Sequence, residues 1–98
     1  MPRGYSQELI NSLQSKVVLT DGQELAQLCM EANLPAIHVA EVLFVSRMTI
    51  HSWFRGSPIR QRNMERVVAF KHVIQKDLHD GILPAKSLTE AKEYLSSF

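Results

Sequence analysis

The segment Val45–Gly56 reads VSRMTIHSWFRG, and its pattern decides how the rest of the chain is read. Ile50, Trp53 and Phe54 recur at spacings that bring side chains onto one face of an α-helix. Ser46 precedes them where a helix N-cap is favoured, because its hydroxyl can accept a bond from an unpaired amide of the first turn. Gly56 stands where such a helix stops. The pattern predicts a helix over 46–54 whose apolar triad faces inward, leaving Ser46, Arg47, Met48, His51, Ser52 and Arg55 to the outer face.

The neighbouring segments carry the same helical spacing. In TDGQELAQLCMEAN, Asp21 fits an N-cap and Glu24 the return half of a capping box, with Leu25, Leu28, Cys29 and Ala32 as the buried stripe. Asn33 tolerates the left-handed conformation of a helix end, and Pro35 suits the first turn of the next helix, where its missing N–H costs nothing. That helix, about Pro35 to Leu43, is short, with Ile37, Val39, Ala40 and Leu43 as its apolar positions. Only a tight turn separates it from Ser46, so two short helices are expected to cross steeply. Another short helix is expected upstream, from about Ser6 to Gln14, on Leu9, Ile10 and Leu13.

Downstream, Ser57 and Pro58 read as the cap and first turn of a long helix bearing Met64, Val67, Val68, Phe70, Val73, Ile74 and Leu78. This stripe is wider than one side of a small domain requires, so either a final helix or a second subunit must cover the excess. Phe70, Val73 and Ile74 are the expected dimerisation residues. HDGILPAKS is a turn, with Gly81 as cap and Pro84 as breaker. Ser87 with Glu90 then opens a last helix carrying Leu88, Ala91, Tyr94 and Leu95. The expected fold is all-α: a compact helical bundle in a single domain, 1–98, with a helix-turn-helix core over 22–70 and a C-terminal helical extension over 71–98.

Composition bounds the function. Ninety-eight residues, 45% hydrophobic and 21% charged, describe one folded domain rather than a disordered chain. Cys29 is the sole cysteine, which excludes an internal disulfide framework and suits a reducing compartment. No apolar run reaches ~18–20 residues and the first residues lack a secretory signal, so a cytoplasmic protein without membrane association is expected. The formal net charge of +1 conceals a division along the chain. Residues 21–45 hold Asp21, Glu24, Glu31 and Glu41 with no Lys or Arg. Residues 46–76 set Arg47, Arg55, Arg60, Arg62, Arg66, Lys71 and Lys76 against Glu65 alone. Local positive charge of this kind is the footprint of a polyanion partner.

With these residues in view, the stretch from about Gly22 to Phe70 resembles the helix-turn-helix domain of the Cro/C1 (XRE-type) phage repressor family. The resemblance rests on Leu34, Val39, Ala40, Leu43, Val45, Ser46, Arg47, Thr49, Ile50, Trp53, Arg55 and Gly56, and covers about half the chain. It departs from the family in two places: Phe44 stands where the turn usually has glycine, and Ala36 where a glutamine or serine often touches a phosphate. A bulky residue at positive φ costs energy unless the turn relaxes or the side chain gains by packing.

The resemblance implies a lambda repressor-like fold binding double-stranded DNA. The helix 46–54 would enter the major groove, and the protein would be a sequence-specific transcriptional regulator, a repressor or autoregulator, acting as a homodimer. Arginine can pair with guanine, serine can donate or accept, and methionine can touch a thymine methyl, so Arg47, Met48, His51 and Ser52 are the candidate base contacts. Ser46 and Thr49 would hold the helix end or a phosphate, and Arg55, Arg60 and Arg62 would contact the backbone. Competing readings are a helix-turn-helix adaptor or inhibitor using the acidic 21–45 face, and a DNA-binding subunit of a phage packaging or recombination machine. An enzyme is not expected. His38, His51, His72 and His79 form no zinc pattern, no phosphate-binding glycine loop or paired catalytic carboxylates occur, and no cofactor or small-molecule ligand is evident.

Overall fold

Residues 18–98 are described by the computed structural model, and the expected helix at Ser6–Gln14 lies outside them. Among the described residues five helices follow one another: α1 (Asp21–Glu31), α2 (Ala36–Val42), α3 (Arg47–Phe54), α4 (Gln61–His79) and α5 (Leu88–Ser96). No strand occurs among the described residues, so the protein is all-α. Nor is any of these helices long and apolar enough to cross a membrane.

The first four helices end in the same way. Each has a right-handed or near-helical C-cap, then a residue at positive φ: Asn33, Phe44, Gly56 and Gly81. In each, that residue's amide and the next one bond back to carbonyls of the last turn. The pairs are Asn33 to Met30 with Leu34 to Cys29, Phe44 to Glu41 with Val45 to Ala40, Gly56 to Trp53 with Ser57 to Ser52, and Gly81 to Leu78 with Ile82 to Asp77. This is the Schellman arrangement, which satisfies otherwise orphaned carbonyls and turns the chain sharply. The expected endings at Asn33, Gly56 and Gly81 are present.

The helix starts fall partly elsewhere than expected. α1 is capped by Thr20, whose hydroxyl accepts from the Gln23 amide at 3.2 Å while the Gln23 carboxamide oxygen accepts from the Thr20 amide at 3.1 Å. Asp21 and Glu24 fit the same motif one residue later, but Gln23 is wholly buried whereas Glu24 reaches solvent and bonds Lys71 at 2.7 Å. Burial therefore sets the register. Pro35 is the N-cap of α2 rather than its first turn. Ile37, expected to be an apolar position of that helix, is 43% exposed, and Ala36 is buried in the core instead. Ser57 and Pro58 do not open α4: residues 57–60 run without helix, which drops Ile59 into the core, and α4 begins at Gln61 with Arg60 as N-cap. Ser46 and Ser87 cap α3 and α5 as expected, accepting from the Thr49 and Glu90 amides at 3.1 Å each.

One hydrophobic cluster runs through all five helices, from Leu25 and Cys29 to Ala91 and Leu95. Helix α1 packs on α3 and α4, and α2 packs on α3 and α5. At the α1–α3 crossing, Gly22 lies so close to Trp53 that a Cβ would overlap the Trp53 carbonyl. Residues 71–98 belong to the same core, since Ile74, Leu83, Ala85, Ala91 and Leu95 are all buried in it. The connection between α4 and α5 is tied to the α1–α2 turn: the Ala85 amide donates to the Ala32 carbonyl at 3.0 Å, and Asn33 Nδ2 donates to the Ala85 carbonyl at 2.6 Å. The Tyr94 hydroxyl donates to Asp77, joining α5 to α4. Burial, then that bond and the Asp77 charge, raise the Tyr94 pKa.

This packing corrects the dimerisation set. Phe70 and Ile74 are buried within the chain, with the Phe98 ring tilted against Phe70 at 5.1 Å between ring centres, so the excess apolar stripe is covered from inside. Only Val73 of the three remains at the surface, 40% exposed; Val68, elsewhere on the same helix, is 41% exposed.

Candidate nucleic-acid interface

Helix α3 is built from its cap outward. The Ser46 hydroxyl accepts from the Thr49 amide and donates to Thr49 Oγ1 at 2.9 Å, fixing the first turn. Ile50 and Phe54 are fully buried and Trp53 nearly so. With its inner face locked by these three, α3 presents the residues between them outward.

Arg47 and Arg55 are exposed, and Met48 is 82% exposed, which removes any role for it in the core. His51 is half-buried, its ring edge-on to Phe54 at 6.2 Å. Burial, then the charges of Arg55 and Arg47, hold the His51 imidazole below its ordinary pKa. Its neutral form therefore prevails at physiological pH, with one nitrogen to donate and one to accept. Ser52 is half-buried and donates to Ser57 Oγ at 2.8 Å, so its hydroxyl is left as an acceptor rather than a freely rotating donor.

The predicted backbone-contacting residues gather beside this helix. Ser46 is its N-cap and Thr49 lies in its first turn, Arg55 is at its C-cap, Arg60 at the N-cap of α4 and Arg62 in the first turn of α4. Met48, Thr49, Ser52, Arg60, Arg62 and Asn63 line a shallow depression of about 430 Å³ between α3 and α4.

The electrostatics of this region differ from those of the rest of the molecule. A helix N-terminus carries a partial positive charge that favours acidic residues. Helix α1 has Asp21 and Glu24 in its first turn and α5 has Glu90, but α2, α3 and α4 have none there. Instead, Arg47 starts α3, and Arg60 and Arg62 start α4. Lys71 and Lys76 are paired with Glu24 and Asp80, whereas among the described residues none of Arg47, Arg55, Arg60, Arg62 and Arg66 lies within salt-bridge distance of a carboxylate. Positive charge placed at positive helix ends, without counter-charge, costs the fold roughly 0.3–1 kcal/mol per site and forms a ready anion site.

A second depression, of about 380 Å³, adjoins the first at Thr49, Arg62 and Asn63 and adds Phe44, Ser46 and Arg66. Sequence reasoning missed Asn63 and Arg66 as site residues. Arg66 stands one helical turn beyond Arg62, and that spacing was the available signal. Phe44 resolves its alternatives in an unexpected way. The turn does not relax, since φ is 58°, and the ring does not pack inward, since it is 80% exposed. Among the described residues its ring contact is with the Arg66 guanidinium, 5.8 Å from the ring centre. An exposed cation–π contact contributes about 0.5–1 kcal/mol against roughly 1–2 kcal/mol for a left-handed non-glycine residue, so the fold gains nothing net.

Among the described residues, no cluster of His, Cys, Asp or Glu could hold a metal ion. No family model, curated protein or solved structure matches the chain.

Proposed function

We propose that this protein binds double-stranded DNA and acts as a transcriptional regulator, with α2, the turn 43–46 and α3 serving as a helix-turn-helix. In this reading α3 lies in the major groove. Arg47 and Met48, exposed at its N-terminal end, and the neutral His51 behind them meet base edges. Ser46, Thr49, Arg55, Arg60 and Arg62 meet phosphates and set the register. The observation that carries the reading is that Arg47, Arg60 and Arg62, without carboxylate partners among the described residues, stand at the starts of α3 and α4, where the helix dipoles disfavour them.

Repression through a two-fold-related operator by a homodimer is the preferred role, with Val68 and Val73 on the outer side of α4 as surface available to a second subunit. An adaptor using the acidic 21–45 region is less well supported, because Glu24 is already engaged by Lys71.

Selection of bound duplexes from a random pool tests this directly. A palindromic consensus is expected. A half-length motif would indicate a monomeric reader, and no enrichment would overturn the reading in favour of an adaptor. Affinity for the selected duplex should fall with log salt at a slope of about −3 per subunit if Arg55, Arg60 and Arg62 each neutralise a phosphate. Within that site, Arg47→Ala should relax preference at one position by about 1–3 kcal/mol, while Arg62→Ala should weaken all sequences alike.

A further inference from the structure

Phe44 is a large apolar side chain held in a left-handed turn and left outside the fold. Three features of its surroundings bear on why. It forms the rim of the depression that contains Arg62, Asn63 and Arg66. Its ring lies against the Arg66 guanidinium on one side, while the Asn63 Oδ1 accepts from Arg66 Nη2 at 2.7 Å on another. And that depression continues into the one alongside α3 through Thr49, Arg62 and Asn63.

Arginine side chains have many rotamers, and ordering one on binding costs affinity. Arg66 is exposed, yet an aromatic face and an amide oxygen confine its planar head, leaving its remaining N–H donors for a partner. Confined in this way, it can meet a phosphate without first losing that freedom. We propose that Phe44 is a positioning residue for Arg66, and that Arg66 with Arg62 and Asn63 takes a further phosphodiester of the DNA backbone in the depression beside the start of α3. This rests on the DNA-binding reading above. It assigns Asn63 and Arg66 to the interface and gives the strained turn a use: the backbone holds the ring outward because the ring serves the ligand rather than the core.

The test separates fold from binding. Phe44→Gly removes the ring and suits the turn, so its urea midpoint should equal or exceed that of the parent protein. Its affinity for the selected duplex should fall about three- to tenfold, with a salt slope shallower by about one. Arg66→Ala should give the same fall, the double substitution no further fall, and Phe44→Tyr near-parental affinity. Sequence preference should not change in any of them. Parental affinity in Phe44→Gly, an additive double substitution, or a Phe44→Gly variant that loses stability and affinity together would overturn the proposal while leaving the DNA reading intact. The same holds if Phe44→Gly binds normally but dissociates a dimer, which would make the ring a protein contact. Absence of duplex binding by the parent protein would remove the DNA reading and this assignment with it.

Discussion

Asn33 and Phe44 occupy equivalent places after consecutive helices, and both have a φ of 58°. The backbone asks the same of each and they answer differently. Asparagine accepts the left-handed region readily, and here its side chain also bonds the Ala85 carbonyl, so the α1–α2 turn anchors the loop that leads into α5. Phenylalanine accepts it poorly and gains one exposed contact in return. A residue that satisfies a strained position strengthens the fold. One that merely endures it points outward to another purpose.

The comparison breaks most readily at Asn33. Asn33→Ala removes a residue suited to the turn and strands a carbonyl of the buried Ala85, so unfolding free energy from urea titration should drop by about 2–4 kcal/mol. Asn33→Gly sharpens the result, because glycine keeps the turn and loses only the bond. A drop of about 1–2 kcal/mol is expected, and one as large as that of the alanine variant would mean that the dihedral contributes little. At Phe44 no such drop is expected. Relief of the strained dihedral offsets both the lost cation–π contact and the extra freedom glycine gives the unfolded chain, so Phe44→Gly should leave stability unchanged or raised by at most about 1 kcal/mol, while a loss would place the ring among the fold's supports.

The smallest effect belongs to His51, beyond the second turn. Its folded-state pKa lies below the ordinary 6.5, so below that value the unfolded chain binds more protons than the folded one. Its contribution to stability is therefore complete above about pH 6.5 and declines as pH falls from there to the folded-state pKa. Urea midpoints taken across this window should show a decline that His51→Gln reduces. An unchanged decline in that variant would assign the acid sensitivity to other groups.

Much of this architecture was legible because it is local. Ser46 and Ser87 as caps, Asn33, Gly56 and Gly81 as helix ends, and Ile50, Trp53 and Phe54 as one buried face all follow from residues within two turns of one another. What was not legible depends on distant parts of the chain. Thr20 with Gln23 and Asp21 with Glu24 satisfy the same capping motif, and the choice is made by burial of Gln23 and by Gly22 fitting against Trp53. The late start of α4 follows from Ile59 reaching the core. Phe70 and Ile74 read as surplus, but Phe98 packs against Phe70 and Ile74 is buried in the core. The exposure of Arg47 and Met48 was readable from α3 alone, but the place of Arg66 beside Phe44 was not, since helix periodicity says nothing of what a neighbouring turn brings alongside.

The lone thiol of the chain, Cys29, lies at zero exposure on the inner side of α1. An alkylating reagent can reach it only when that helix lifts away from its neighbours, so the rate of mass gain in native buffer is a clock for opening of the molecule. No engineered label is needed to read it, and comparing that clock with and without added duplex would show whether a ligand held at α3 restrains the helix packed behind it.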